Sequence, residues 1–213
     1  MMKILHFVPS AFEYFDEIRE GAFKLIDGLD ELGFNNYVFT LQYSAVSKRL
    51  EKEVKKESKG KLGFEKIHNL EEVEAKMAEA DVIHLHAPFL GMGKKLLEFK
   101  KKFPQKKFVV TVYEDLPYTD FFTIIIWLYN SWYLKRILNV CDFVCADDEQ
   151  KFREARGFSI LKDGKKFVSI NNFINFINEN NPSLAEKFGG MTKNPYFQKA
   201  LAYGELYRLL HGE

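Results

Sequence analysis

Cysteine is scarce in this chain: only Cys141 and Cys145 occur among 213 residues. Two thiols four positions apart in one apolar segment cannot build the disulfide framework of a small secreted domain, and within one strand they are awkwardly placed to bridge each other. Both are expected to be small buried thiols in a reducing compartment. An excess of charge of one sign is also missing, since 31 basic and 30 acidic residues leave a formal net charge of +1. That balance gives no global drive toward nucleic acid, and no nucleic-acid partner is expected. No apolar run approaches the roughly 20 residues that cross a bilayer. The aromatic stretch Phe121 to Leu134 is uncharged but only 14 residues long, and Lys135 and Arg136 follow it at once; a buried helix and an interfacial helix are both open readings. The amino terminus runs from Met1, Met2 and Lys3 into a short apolar segment without the features of a secretory leader, so a cytoplasmic location is expected.

What is present is a regular alternation of strand and helix signals. Ile4 to Val8 reads as a buried first strand closed by Pro9 and Ser10. An amphipathic helix follows with Ala22, Leu25, Ile26, Leu29 and Leu32 at helical spacing, and Gly33 is its expected left-handed stop. Tyr37 to Leu41 and Phe64 to Ile67 read as further strands, then Leu70 to Glu79 as a polar helix. Asp81 to Pro88 is a central strand, and a helix ending in Lys100, Lys101 and Lys102 suits the negative end of a helix dipole. Phe108 to Tyr113, Asp142 to Ala146 and Phe167 to Ile170 complete the strands, with a helix over Asp147 to Arg156. The six asparagines between Asn171 and Asn181 read as loop, and a last helix over Pro195 to Leu210 presents Phe197, Leu201, Leu206, Leu209 and Leu210 for docking. The predicted class is α/β: a single doubly wound Rossmann-like domain over residues 1–175, with a mainly parallel sheet of about seven strands, and a loop and C-terminal helical tail over 176–213 that packs back on it.

Histidine is sparse too, with five in the chain, yet His84 and His86 stand together in Asp-Val-Ile-His-Leu-His-Ala-Pro. Two apart on a strand, their side chains share one face of the sheet near its carboxyl edge, where ligands of parallel sheets bind. A functional pair and a pair of hydrogen-bonded core imidazoles are equally open readings. No third ligand follows in a recognisable pattern, so no metal site is predicted, and no cofactor. Gly91-x-Gly93 lacks the third glycine of a dinucleotide fingerprint and follows the wrong strand.

The order of these segments resembles the amino-terminal, acceptor-side domain of GT-B glycosyltransferases of family 4. Lys3-Ile-Leu-His-Phe-Val-Pro is similar to that family's first strand, Gly21-Ala-Phe-Lys-Leu-Ile-Asp-Gly-Leu to its first helix, and Asp81 to Pro88 to its fourth strand. Val109-Val-Thr-Val-Tyr-Glu-Asp resembles the fifth strand, Cys141-Asp-Phe-Val-Cys-Ala-Asp the sixth, and Phe167-Val-Ser-Ile-Asn-Asn-Phe-Ile-Asn the crossover toward a second domain. The resemblance implies retaining sugar transfer from a nucleotide sugar. Two positions and the length depart from the pattern. Glu20-Gly21 stands where the family has a Gly-Gly pair at the donor phosphates, and Tyr113 where it has a histidine at the acceptor face. Only 38 residues follow Asn175, too few for the nucleotide-binding second domain.

The resemblance thus implies an acceptor-binding half of a glycosyltransferase, active together with a donor-binding partner chain or a second subunit. His86 or Asp115 would orient the acceptor hydroxyl as catalytic groups, with Ser10, Glu13, Pro88, Tyr113, Glu114 and Tyr118 lining the acceptor site and Glu20 and Gly21 forming a degenerate donor-phosphate loop. His84 is expected to be packed. A sugar or lipid-linked acceptor, with peripheral contact at the inner membrane face, would suit the aromatic run and the basic segments Lys48 to Lys61 and Lys94 to Lys107. An ordinary ion-paired surface is the simpler reading of those charges. The alternative function is a degenerate, non-catalytic module that binds a sugar, a nucleotide or another protein, or that self-associates.

Overall fold

In the computed structural model the described residues are 1–9, 16–40, 63–64, 70–87, 93–113, 132, 134–154, 167–180, 183 and 195–212. Six strands of three to six residues form an all-parallel sheet: β1 (Lys3–Val8), β2 (Asn35–Thr40), β4 (Val82–Ala87), β5 (Lys107–Val112), β6 (Phe143–Ala146) and β7 (Phe167–Ser169). A two-residue pairing, β3 (Gly63–Phe64), lies beyond β2, and the lateral order is β3-β2-β1-β4-β5-β6-β7. The expected third strand over Phe64 to Ile67 is therefore described only at Phe64, with Gly63 preceding it. The helices are α1 (Asp16–Glu31), α2 (Leu70–Glu79), α3 (Gly93–Lys102), α4 (Lys135–Val140), α5 (Glu149–Glu154), α6 (Ile170–Asn180) and α7 (Pro195–His211). None of the described helices is long and apolar enough to cross a membrane.

Alternation along the strands divides the core into two layers. Leu5, Phe7, Ile83, Leu85, Phe108, Val110 and Val144 pack with Val73 and Met77 of α2, Leu96 and Phe99 of α3, Ile137 of α4 and Phe152 of α5. On the opposite face Ile4, Val82, Val109 and Cys145 meet Leu25 and Leu29 of α1, Ile170 and Ile177 of α6, and Tyr203, Leu206 and Tyr207 of α7. The chain winds from β1 outward to β2, then crosses to β4 on the other side of β1, so the topological switch point lies between the carboxyl ends of β1 and β4.

Two acidic residues fix strand starts in the same way. Lys3 N–H donates to Asp81 Oδ2 at 2.8 Å and Phe108 N–H to Asp142 Oδ2 at 2.8 Å. In return Asp81 N–H donates to the Lys3 carbonyl and Asp142 N–H to that of Phe108, both at 2.8 Å. Helix α1 ends as its sequence predicts, with Gly33 at φ +85° and paired bonds from Gly33 N–H to the Asp30 carbonyl and from Phe34 N–H to that of Leu29, a Schellman closure.

Residues 171–180, expected as loop, are helical in α6. Asparagine is a weak helix former, but Ile170, Phe173, Ile174 and Ile177 recur at i, i+3, i+4 and i+7 and turn toward the sheet, so burial overrides propensity. On α7, Phe197, Leu201 and Leu206 are buried as expected, whereas Leu209 is 64% exposed and Tyr203 and Tyr207 take the core positions. Of the aromatic stretch, Trp132 is exposed and Leu134 buried, and the rest lies outside the described residues. Both cysteines are free and buried. In the basic segment ending α3, Lys100 pairs with Asp142, Lys102 with Glu74, and Lys106 donates to the Ala78 and Ala80 carbonyls at the end of α2. The segment Lys48 to Lys61 lies outside the described residues.

Candidate functional site

Three histidines, not two, meet on the α1 and α7 side of the sheet. His6 of β1 stands opposite His84 of β4 in the parallel register, and His86 lies one pleat repeat nearer the carboxyl edge, opposite Thr111 of β5. All three are fully buried. Their ring centroids are 5.3 Å apart for His6 with either neighbour and 4.2 Å for His84 with His86.

Every ring nitrogen has a partner. His6 Nδ1 and His86 Nε2 are 3.1 Å apart, and His6 Nε2 is 3.0 Å from Asn36 Oδ1 on β2. Asn36 Nδ2 donates to Asp30 Oδ1 on α1 at 2.9 Å. His86 Nδ1 lies 2.9 Å from the hydroxyl of Tyr113, the residue after β5. His84 belongs to a second chain: its Nδ1 is 2.6 Å from the Tyr207 hydroxyl, its Nε2 is 2.7 Å from Thr111 Oγ1, and Thr111 Oγ1 is 2.6 Å from the Tyr203 hydroxyl. Tyr203 and Tyr207 are one helical turn apart on α7, so a single face of that helix delivers both hydroxyls to the sheet.

Burial away from water disfavours the charged imidazolium, and it pushes the His6 pKa down to about 4. His84 and His86 fall well below the usual histidine range, first through burial and then through neighbouring imidazoles. At neutral pH all three are therefore neutral, each with one N–H and one bare nitrogen. The same burial raises the hydroxyls of Tyr203 and Tyr207 well above their ordinary value, and the Cys145 thiol as well.

Among the described residues these histidines form the one group of three potential metal ligands whose donor atoms fall within 4.8 Å of one another. A cation between His6 and His86 would have to displace the proton joining them, and His84 would have to release Tyr207 or Thr111. As it stands the group is complete as a hydrogen-bond network.

Of the residues read from sequence as a site, His86 is buried with both nitrogens engaged, and Tyr113 is its partner, partly exposed at the carboxyl edge. Asp115, Ser10, Glu13, Pro88, Glu114 and Tyr118 lie outside the described residues. Glu20 is exposed and pairs with Lys24 one turn along α1, at 2.5 Å. Gly21 is buried, and a Cβ there would stand 3.3 Å from Tyr113 Cε1. The bare backbone at Gly21 is therefore covered by the Tyr113 ring.

His6, Asp30, Asn36, Thr111, Tyr203 and Tyr207 were not singled out by sequence reasoning. A signal existed for His6, which shares the alternation phase of Ile4 on an adjacent buried strand, and for the i, i+4 tyrosines of α7. No protein-family model and no curated protein matches the chain.

Proposed function

We propose that the chain is a glycosyltransferase-like acceptor-binding domain of the GT-B kind, which needs a donor-binding partner chain or a second subunit for sugar transfer. The observation that carries this reading is the return of α7. The last helix of the chain packs along α1 and α6 and places Tyr203 and Tyr207 on the face of β4 and β5. Such a return suits a domain from which a chain leaves after the last strand and comes back, as the sequence resemblance implies. A complete seven-stranded sheet belongs to the same reading. The acceptor would sit at the switch point above the carboxyl ends of β1, β4 and β5, with Tyr113 at its floor.

The isolated chain is then expected to bind acceptor glycosides without turnover. Glycosyl transfer from a UDP-sugar or a GDP-sugar should occur only when a donor-domain protein is added. Turnover by the chain alone sinks the claim that transfer needs a donor-binding partner.

A second reading, a non-catalytic binding module, is favoured by one observation: His86 has no nitrogen left for an acceptor hydroxyl. Glycoside binding with no transfer in any combination of chains selects it.

A further inference from the structure

We propose that Asp30 is a positioning residue that fixes the direction of a five-residue hydrogen-bond chain, so that Tyr113 can only accept, not donate, a hydrogen bond from a ligand at the carboxyl edge of β5. The ligand half of this inference rests on the acceptor-binding reading above; the polarity half does not.

The direction follows from one charged group. An ionised carboxylate has no proton to give, so at Asp30 Oδ1 it must accept, and the Asn36 amide nitrogen is its donor at 2.9 Å. The amide oxygen of Asn36 is thereby turned to His6, 3.0 Å from Nε2. An amide oxygen also only accepts, so His6 carries its proton on Nε2, and in a neutral ring Nδ1 is bare. That bare nitrogen, 3.1 Å from His86 Nε2, receives the His86 proton. His86 Nδ1 is then bare in turn, and it takes the Tyr113 hydroxyl proton at 2.9 Å. The depressed basicity of both imidazoles supports the neutral forms on which each step depends.

The adjoining chain provides the contrast. Tyr207, His84, Thr111 and Tyr203 are linked at 2.6, 2.7 and 2.6 Å. Every one of those groups other than His84 is a hydroxyl that both donates and accepts, so all three bonds form in either direction. Polarity is imposed only where the carboxylate stands.

With its proton committed inward, the Tyr113 oxygen offers lone pairs alone. It recognises a group that donates, such as a sugar hydroxyl or an amine, and rejects a carbonyl or phosphate oxygen. A carboxylate on α1, bonded to Asn36 of β2, thus selects the chemistry accepted beside β5.

Two-bond ¹H–¹⁵N NMR on histidine-labelled protein at neutral pH reads the tautomers without any ligand. We expect His6 and His86 both to carry the proton on Nε2, and Asp30→Asn, a change at a partly exposed helix position, to mix the tautomers while the thermal transition stays cooperative. A wild-type His86 protonated on Nδ1, or tautomers untouched by Asp30→Asn, overturns the proposal whatever the protein binds. For the ligand half, methyl glycosides of glucose, galactose and mannose serve as probes. Tyr113→Phe should weaken binding ~tenfold, the loss of about one neutral hydrogen bond. Equal binding by Tyr113→Phe overturns that half. If the wild-type protein binds none of the glycosides while its tautomers are as expected, the acceptor-binding reading fails and the polarity stands.

Discussion

Gly28 of α1 lies so near Ala200 of α7 that a Cβ added at Gly28 would stand 2.7 Å from the Ala200 Cβ, with the Tyr196 carbonyl and Phe197 Cα also within 3.8 Å. The two helices therefore meet backbone to backbone at this point, and the small residues set how closely α7 can approach the sheet. That approach is what lets Tyr203 and Tyr207 reach the strand face.

A double-mutant cycle tests the contact. In an open helix Gly→Ala adds about 1 kcal/mol of stability through propensity, whereas overpacking costs about 1–3 kcal/mol. Gly28→Ala should therefore be net destabilising or neutral instead of stabilising. Adding Ala200→Gly should relieve the clash, giving a favourable coupling of about 1 kcal/mol or more by urea denaturation. Additive effects of the two changes would show that the helices are not in contact there.

Tyr207→Phe and Tyr203→Phe separate two positions in one network. The first leaves His84 Nδ1 buried with no partner and is expected to cost about 1–3 kcal/mol. The second removes one of two partners of Thr111 Oγ1, which keeps His84, and should cost about 1 kcal/mol or less. Chemical denaturation of both variants should give that order. The reverse order would mean that His84 is not held by Tyr207.

The fold was legible where burial and local pattern agree. The run Ile4 to Val8, the spacing of Leu25, Ile26 and Leu29, and Gly33 each specify one conformation and each takes it. Helix α6 was not legible because asparagine dominates its composition, and its helical state is imposed by the docking of Ile170 and Ile177. The site was legible by half. His84 and His86 announce themselves as neighbours in sequence, whereas Tyr207 is 123 residues from His84, and Asn36 is 30 from His6. Only the order of the strands and the return of α7 bring those partners together, and neither is encoded in any one segment.

Asp142 accepts from Phe108 N–H at 2.8 Å and from Lys100 Nζ at 2.7 Å. The amide bond ties β6 to β5, while the lysine pairs with a carboxylate that is one-third exposed. Asp142→Asn keeps an acceptor for the amide and loses only a partly screened ion pair, so less than about 1 kcal/mol should go. Asp142→Ala leaves the amide unpaired and should cost about 1–2 kcal/mol. Equal losses in thermal denaturation would assign the role of Asp142 to charge instead of strand pairing.

The buried histidines make stability depend on pH in a defined window. His6 titrates near 6.5 when unfolded and at about 4 in the folded protein, and His84 and His86 are shifted the same way by burial. Between those values the unfolded chain binds more protons than the folded one. Folding stability is therefore fully present above about pH 6.5 and is lost as pH falls toward about 4. His6 alone accounts for a loss of about 3 kcal/mol across the window, and the other two add to it. Carboxylates contribute mainly below about pH 5, so the decline between pH 6.5 and 5 reads the histidines. Urea midpoints measured at pH 7.5, 6.5, 5.5 and 5.0 should fall steadily below the second of these values. A flat profile down to pH 5.0 would show that the imidazoles are solvated or charged in the folded protein, and that β1 and β4 are not sealed by α7.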